Sequence, residues 1–575
     1  MSAEPRRPTT TEVPASRLAN ETAPLIATAF EEHQARFAAI TRRARVRFEA
    51  RDWHAAVDDA VERLELYAEI VRHVEDELRR RLGPAVGDRD VWTGMKALYS
   101  GLVAQREDRE IAETFFNSLT RRIFATAGVD PNIEFIHSDR EGPQGRPLDL
   151  LRPYPVTSTA EVLERAVRDA WPDAAFADLR ADARRAAERI DGHLDRPPDA
   201  LEVVEAPFFR RKGAYLVGRL RVGAVSVPLA LALLNDGGGI AIDAVLLGEN
   251  DLSILFSFTR SHFHVDVGSP ADLVAFLKQL MPRKPVAELY ISIGFHKHGK
   301  TELYRDLLRY LGSSDEAFDL APGTPGMVMV VFAMPGYDVA FKVIRDEFPP
   351  AKVITRQGVM RKYRLVFRHD RAGRLVEAQE FEHLRFPRSR FTPALLDELE
   401  RGCARHVAVG TEDVVIHHAY VERRVVPLDV FIAGATSHER AAAVVDLGRS
   451  IKDLAATNIF PGDLLPKNFG LTRHGRIVCY DYDELSLLTD LSFREFPPSS
   501  AEDEVADEPW FGATPHDVFP EEFPNFVALP PDLREVFEAR HRDLYDVGYW
   551  RRIQRRVAGG EIVDIFPYEP SQRLG

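Results

Sequence analysis

Cysteine is nearly absent: the 575 residues hold only Cys403 and Cys479. A disulfide framework is thereby excluded, neither thiol has a paired metal-ligand spacing around it, and a reducing, cytoplasmic location is expected. Long apolar runs are missing too. The longest, residues 227–234, is far short of the roughly 20 residues that a membrane-spanning helix needs. Residues 1–16 are polar and rich in Pro and Thr, so they are expected to be disordered rather than a signal peptide or an anchor. An excess of positive charge is also lacking; the formal net charge of -14 argues against general nucleic-acid binding. Lysine is scarce, with 11 Lys among the 75 basic residues. A compact ammonium and a guanidinium fork are not equivalent at a phosphate, so the few lysines inside phosphate-type motifs, Lys300, Lys342 and Lys467, carry more information than they would elsewhere.

What is present describes a soluble globular protein, with 45% hydrophobic and 29% charged residues, and too long for one core. Residues 17 to about 190 have helical periodicity, with long amphipathic stretches over 55–82 and 160–194. From Leu201 the texture changes to short β-type runs, among them 214–222 and 240–247, the second following the turn Asn235-Asp236-Gly237-Gly238-Gly239. Pro322-Gly323-Thr324-Pro325-Gly326 interrupts the chain before two further β-prone runs, and the main domain boundary is placed near residue 315.

The most informative stretch is Asp463-Leu464-Leu465-Pro466-Lys467-Asn468, followed by Asp481-Tyr482-Asp483. Asp463 and Asn468 keep the spacing of the kinase pattern H-R-D-x-x-x-x-N, in which the Asp accepts the proton of the attacking hydroxyl while the Asn and a separate Asp hold magnesium. Residues 469–472 and 476–480 are β-prone and separated by Arg473-His474-Gly475, a hairpin signal that folds Asn468 back beside Asp481. Singly, these acids read as turn and strand-end residues. Together, like charges at one hairpin end repel unless a cation sits among them.

Other pieces follow a kinase-like order. A glycine-containing loop over 321–327 opens a strand and could cover a nucleotide. Val339-Ala340-Phe341-Lys342 compares with the V-A-I-K run whose Lys grips α- and β-phosphates. A β-prone run over 414–420 leads into a hinge at 421–427. The helix glutamate that would pair with Lys342 is expected to be Glu398 or Glu400, in a helical stretch over 392–406. A competing motif, Gly294-Phe295-His296-Lys297-His298-Gly299-Lys300-Thr301, matches G-x-x-x-x-G-K-[ST] between a strand-like run (289–293) and a helix-like one (302–311). It offers three readings: a P-loop NTPase using Lys300 and Thr301, a basic helix start that binds a phosphate or nucleotide, or a structural turn. A further possibility is a nucleotide-sensing regulator whose kinase-like part is inactive.

Several long runs carry a resemblance to a known family: Gly294 to Thr301 with Glu302-Leu303-Tyr304-Arg305-Asp306, Tyr420-Val421-Glu422-Arg423-Arg424, Asn458-Ile459-Phe460-Pro461-Gly462-Asp463, Lys467-Asn468-Phe469-Gly470, Tyr480-Asp481-Tyr482-Asp483-Glu484 and Asp517-Val518-Phe519-Pro520-Glu521-Glu522-Phe523. The chain resembles bacterial isocitrate dehydrogenase kinase/phosphatase over most of its length. The resemblance implies an α+β fold, with a mostly helical N-terminal regulatory domain containing a mixed β segment (17–314) and a bilobal protein-kinase-like domain (315–575). It implies a bifunctional enzyme that phosphorylates a serine of isocitrate dehydrogenase with ATP and Mg2+ or Mn2+, diverting carbon into the glyoxylate bypass, and removes that phosphate with ADP at the same site. Ala321, Pro322, Gly323, Thr324, Pro325, Gly326 and Met327 would form the nucleotide loop, Lys342 would grip phosphates, Asp463 would be the kinase base, Lys467 a γ-phosphate contact, and Asn468 and Asp481 the metal ligands. Asp483 would serve water in the phosphatase direction. Glu377 stands where the family usually has an active-site Asp. AMP would bind between the domains with help from the 294–301 segment, an acidic segment over 497–511 with Trp510 and Phe511 would dock isocitrate dehydrogenase, and a homodimer is compatible with the family. The pattern departs from ordinary protein kinases: Pro461-Gly462 replaces His-Arg, the lysine stands four residues after the Asp, and there is no G-x-G-x-x-G.

Overall fold

The computed structural model describes residues 14–136, 150–257, 262–322, 325–350, 352, 354–369, 371–495 and 514–575. Two long helices, Ala15–Ala50 and Trp53–Leu82, form a hairpin that turns at Arg51, whose φ of 58° ends the first, and at Asp52, whose carboxylate accepts from the Ala55 N–H at 3.3 Å and caps the second. Their apolar stripes, including Phe30, Phe37, Tyr67 and Val74, close around Trp92 and Tyr99 of helix Arg89–Val103 and Phe115 and Phe116 of helix Arg109–Phe124.

This bundle covers one face of an antiparallel sheet of six strands. The order is Leu151–Pro155, Ala200–Val204, Gly213–Val222, Val225–Asn235, Ile240–Leu247, with Phe208–Arg210 paired to the middle strand. Period-two alternation sorts the faces: Ala230 and Ala232 lie under the bundle, whereas Leu229, Leu231 and Leu233 pack with Trp171, Leu163 and Ile190 on the other side. Small residues on one face leave room for the long helices. The single helix expected over 160–194 is two, Thr159–Ala170 and Leu179–Asp191, because Pro172 disfavours helical geometry at Trp171 and cannot continue the ladder itself.

Helix His296–Ser313 leads into a second sheet of six strands, ordered Asp319–Leu320, Met329–Ala333, Val339–Ile344, Asp413–Arg423, Ala378–Pro387, with Val407–Val409 on the fourth. Helix Arg356–His369 joins the third strand to the fifth. The chain then crosses from Arg423 to Val426–Pro427, the edge of a three-stranded sheet, and into a helical lobe built on Ser437–Ala456, Pro531–His541 and Val547–Ala558. Thr436 and Glu439 close a capping box at the start of the first of these helices. The architecture is α+β, a helical and β first part followed by a two-lobed second part, as expected.

The final stretch returns to the first part. Arg573 Nη2 lies 2.7 Å from Asp243 Oδ1, the Tyr568 hydroxyl donates to Asp243 Oδ2 at 2.7 Å, and Gln572 donates to Asp251 at 2.7 Å. No helix among the described residues is long and apolar enough to cross a membrane.

Candidate active site

The loop delivering Asp463 depends on one glycine. Gly462 has a φ of 79°, and a Cβ there would lie 2.5 Å from the Glu484 carbonyl oxygen. The turn closes on itself: Asp463 Oδ1 accepts from the Leu465 N–H at 3.0 Å, and Asn468 Nδ2 donates to the Asp463 carbonyl at 3.4 Å. The predicted hairpin is present as Phe469–Leu471 against Ile477–Cys479. At its open end the Tyr480 N–H donates to the Asn468 carbonyl at 3.1 Å, so Asn468 faces Tyr480 and Asp481 follows one residue beyond.

Lys342 reaches the same end from the other lobe. Its Nζ donates to the Tyr480 carbonyl at 2.8 Å and pairs with Glu422 Oε2 at 2.7 Å. The expected helix partners are therefore wrong: Glu398 pairs with Arg345 at 2.7 Å, and the carboxylate for Lys342 comes from the adjacent strand. Tyr420 stands opposite Lys342 in the ladder, and Glu422, two residues on, shares its face. Burial holds the Glu422 carboxyl above the usual carboxylate range, against the pull of Lys342. Helix Arg356–His369 contributes a hydroxyl instead of a carboxylate: Tyr363 donates to Glu422 Oε1 at 3.1 Å and stacks on Tyr420.

Asp483 is pushed up to about 7 by burial and then by the Asp481 charge. Crowded carboxylates are hard oxygen donors of the kind that Mg2+ or Mn2+ takes, and a cation would relieve the repulsion; among the described residues no group of three or more His, Cys, Asp or Glu is gathered to hold a metal ion, so such a site would draw on Asp481, Asp483 and the Asn468 amide. Glu377 is drawn to the same region. Its segment runs parallel to the hairpin strand through Leu375 and Cys479, with the Val376 N–H donating to the Cys479 carbonyl at 3.0 Å, and Glu377 accepts from Gln379 at 2.5 Å. Lys467 lies in the turn Pro466–Asn468, where its carbonyl accepts from the Tyr480 hydroxyl.

Ala321, Pro322, Pro325, Gly326 and Met327 belong to the loop between strands Asp319–Leu320 and Met329–Ala333, one strand removed from Lys342. A Cβ at Gly326 would lie 2.7 Å from the Met329 carbonyl oxygen. Gly323, Thr324 and the proposed docking segment around Trp510 and Phe511 lie outside the described residues.

The P-loop alternative fails on local structure. The run at 289–293 belongs to helix Val286–Ser292, not to a strand, and Gly299, Lys300 and Thr301 lie inside helix His296–Ser313. Gly299 is needed for helix packing: a Cβ there would lie 2.6 Å from the Ala287 carbonyl oxygen. The segment is a basic helix start. It lines a cavity of about 320 Å³ between helix Arg109–Phe124 and strand Ala378–Pro387, with Arg121, Arg122, Lys297, Lys300, Tyr304 and Phe381 in its wall. Arg121 pairs with Glu134 at 2.8 Å and Arg122 with Glu75. The Lys300 ammonium rests 4.7 Å from the Phe381 ring centroid, and burial, followed by Lys297, pushes it down to about 7.

Comparison with known proteins matches two family models end to end. Residues 23–315 match the isocitrate dehydrogenase kinase/phosphatase (AceK) regulatory domain, and residues 316–570 match the kinase domain of the same family. The chain belongs to the isocitrate dehydrogenase kinase/phosphatase family. Two curated proteins named isocitrate dehydrogenase kinase/phosphatase are similar along nearly their whole length. That of Anaeromyxobacter sp. (strain Fw109-5) is 52% identical over 96% of this chain and 97% of the relative. That of Anaeromyxobacter dehalogenans (strain 2CP-C) is 49% identical over 97% and 98%.

In this member of the kinase/phosphatase family, two residues at the site escaped the sequence reading. Glu422 carried a signal: it is a carboxylate at the end of the apolar strand run Ala419-Tyr420-Val421, a placement that demands a buried cation. Tyr363 carried none, because its role depends on where an amphipathic helix docks.

Proposed function

We propose that this chain phosphorylates a serine of isocitrate dehydrogenase with ATP and hydrolyses the same phosphoserine at the same centre when ADP is bound. The observation that carries this reading is the convergence of Lys342, Asp463, Asn468 and Asp481 on the open end of one hairpin. Asp463 accepts the proton of the serine hydroxyl as its oxygen attacks the γ-phosphorus and the bond to the β-phosphate oxygen breaks. Lys342, kept in place by Glu422 and the Tyr480 carbonyl, holds the α- and β-phosphates, while Lys467 meets the γ-phosphate and the loop from Ala321 to Met327 covers the nucleotide. A Mg2+ or Mn2+ held by Asn468 and Asp481 would neutralise charge on the phosphate oxygens. In hydrolysis Asp483 orients the attacking water, and Glu377 borders it. The cavity at Lys300 takes AMP as an effector, with its phosphate on the basic helix start and its base among Tyr304 and Phe381. The protein works in the cytoplasm, with the part before about residue 315 regulating the part after it.

The test is transfer of labelled phosphate from ATP to purified isocitrate dehydrogenase, and its removal, with and without AMP. Transfer that depends on Asp463 and reverses with ADP is expected. No transfer by the unmodified protein with ATP and Mg2+ would refute the catalytic reading in favour of an inactive regulator, and transfer undiminished in Asp463→Ala would refute the assigned base.

A further inference from the structure

The three-stranded sheet carrying Asn468 and Asp481 is held by the first part of the chain at two places. At the closed end of the hairpin, Arg473 donates from Nη1 to the Arg283 carbonyl at 2.9 Å and from Nη2 to Ser253 Oγ at 2.9 Å. His474 Nε2 meets the same hydroxyl at 2.9 Å and accepts from Arg473 Nε at 3.0 Å. Burial, followed by Arg473, pushes the His474 ring down to about 4, so it is neutral and Nε2 is an acceptor. Ser253 itself is fully buried, and its carbonyl accepts from Lys284 Nζ at 3.3 Å.

The second attachment is at the opposite edge of the sheet. Arg423, which leads into Val426–Pro427, donates to Glu288 Oε1 at 2.8 Å. Glu288 Oε2 lies 3.0 Å from Lys284 Nζ, and the Lys284 side chain has 0% exposure. Although burial opposes it, Lys284 and then Arg423 hold Glu288 down to about 2. One buried ammonium therefore stands behind both attachments, through Ser253 on one side and Glu288 on the other. Arg423 also directly follows Glu422, the partner of Lys342.

None of these side chains contacts the residues assigned to the chemistry, yet the hairpin transmits their position. At about 3.3 Å per residue, the five residues from Asn468 to Arg473 place the tip roughly 15 Å from the open end. A tilt of about 4° at that lever arm moves the open end by about 1 Å, and a misplacement of that size can cost about 100-fold in rate. We propose that Arg473, seated on Ser253 and the Arg283 carbonyl, is a positioning residue for phosphoryl transfer: the first part of the chain sets the angle at which Asn468 and Asp481 meet their metal. This rests on the reading of those two residues as metal ligands. A contact that merely glues the two parts together would change stability without changing metal affinity.

The experiment uses the full chain as wild type, Arg473→Ala, Arg473→Lys, Ser253→Ala and Asp481→Asn. Mn2+ binding in the presence of ADP is read from the electron paramagnetic resonance signal of free Mn2+, beside kcat and the metal dependence of isocitrate dehydrogenase phosphorylation, with the thermal transition as a check of folding. Arg473→Ala should weaken Mn2+ about 3- to 10-fold, less than loss of a direct partner of a metal ligand would. Arg473→Lys should recover part of the loss, and Ser253→Ala should reproduce most of it. Should Arg473→Ala lose its native transition, Ser253→Ala decides alone. Wild-type Mn2+ affinity in Arg473→Ala, or in Ser253→Ala where that variant decides, overturns the positioning role provided Asp481→Asn has lost the metal. If Asp481→Asn still binds Mn2+ as wild type does, the assignment of the metal ligand is wrong and the positioning proposal falls with it.

Discussion

Were the cavity at Lys300 the proposed AMP site, Lys300 would give it a pH signature whose size can be worked from its surroundings. Burial, with Lys297 adding to it, brings the ammonium to about 7 in the free protein. An AMP phosphate in contact would restore the charged form toward its ordinary range, so binding above neutrality must bring a proton with it. The phosphate itself is fully dianionic above about pH 7, its second pKa being about 6, and drops out of the comparison. Between about pH 7.5 and 9 the dissociation constant for AMP should rise about 10- to 30-fold. Calorimetry at about pH 7.75 in two buffers of different ionisation enthalpy should show uptake of most of one proton. Lys300→Met should bind weakly with the slope removed. The same shift acts on folding with the opposite sense: the fold disfavours charged Lys300, so its contribution to stability without effector grows as pH rises from about 7 toward 10. A dissociation constant flat across this range, or an unchanged slope in Lys300→Met, would refute the placement of the phosphate.

Three further outcomes are expected. Glu422→Gln and Lys342→Met should each destabilise the second part of the chain by about 3 kcal/mol in urea, since each strands a buried charge or acceptor, while the double variant should cost at least about 1 kcal/mol less than the sum; additivity would show that the pair is not coupled. Gly462→Ala, forced to a φ of 79° with its Cβ against the Glu484 carbonyl, should lower phosphorylation kcat at least about 10-fold by displacing Asp463; unaltered kcat in a folded variant would detach this loop from the chemistry. Asp481→Ala should impair phosphorylation and dephosphorylation together, and chelation of Mg2+ should mimic it in the wild type; intact hydrolysis in Asp481→Ala would separate the two reactions into different centres.

The hairpin that follows Asn468 was legible because its information is local. Alternation, the turn at Arg473-His474-Gly475 and the spacing from Asp463 to Asn468 all lie within twenty residues, and ladder geometry does the rest. The partner of Lys342 was sought at Glu398 or Glu400 because the reading looked to a helix by analogy with ordinary kinases, whereas strand register chooses Glu422. The run at 289–293 was misread for a different reason. Five residues, four of them apolar, are too few to distinguish strand from helix, and only Pro285 just before helix Val286–Ser292 favours the helix. The cavity at Lys300 draws its wall from four distant stretches of chain, and no periodicity within any one of them announces it. The attachments of Arg473 and Arg423 share that invisibility, since both are pairings between the two parts of the molecule.

The return of the final residues onto Asp243 sets a timetable for synthesis. Ile240–Leu247 is the edge of the first sheet, and the residue that bridges it at Ala244 is Arg573. A ribosome adding about 5–20 residues per second needs on the order of half a minute to make the intervening chain. Throughout that interval the edge strand is bridged at its Ile240 end by Phe176 but stays open around Ala244, a template for pairing with any neighbouring strand. Closure comes only when Tyr568 and Arg573 arrive together at one carboxylate, so the nascent first part stays exposed to chaperones and to misassociation until the second part is essentially complete.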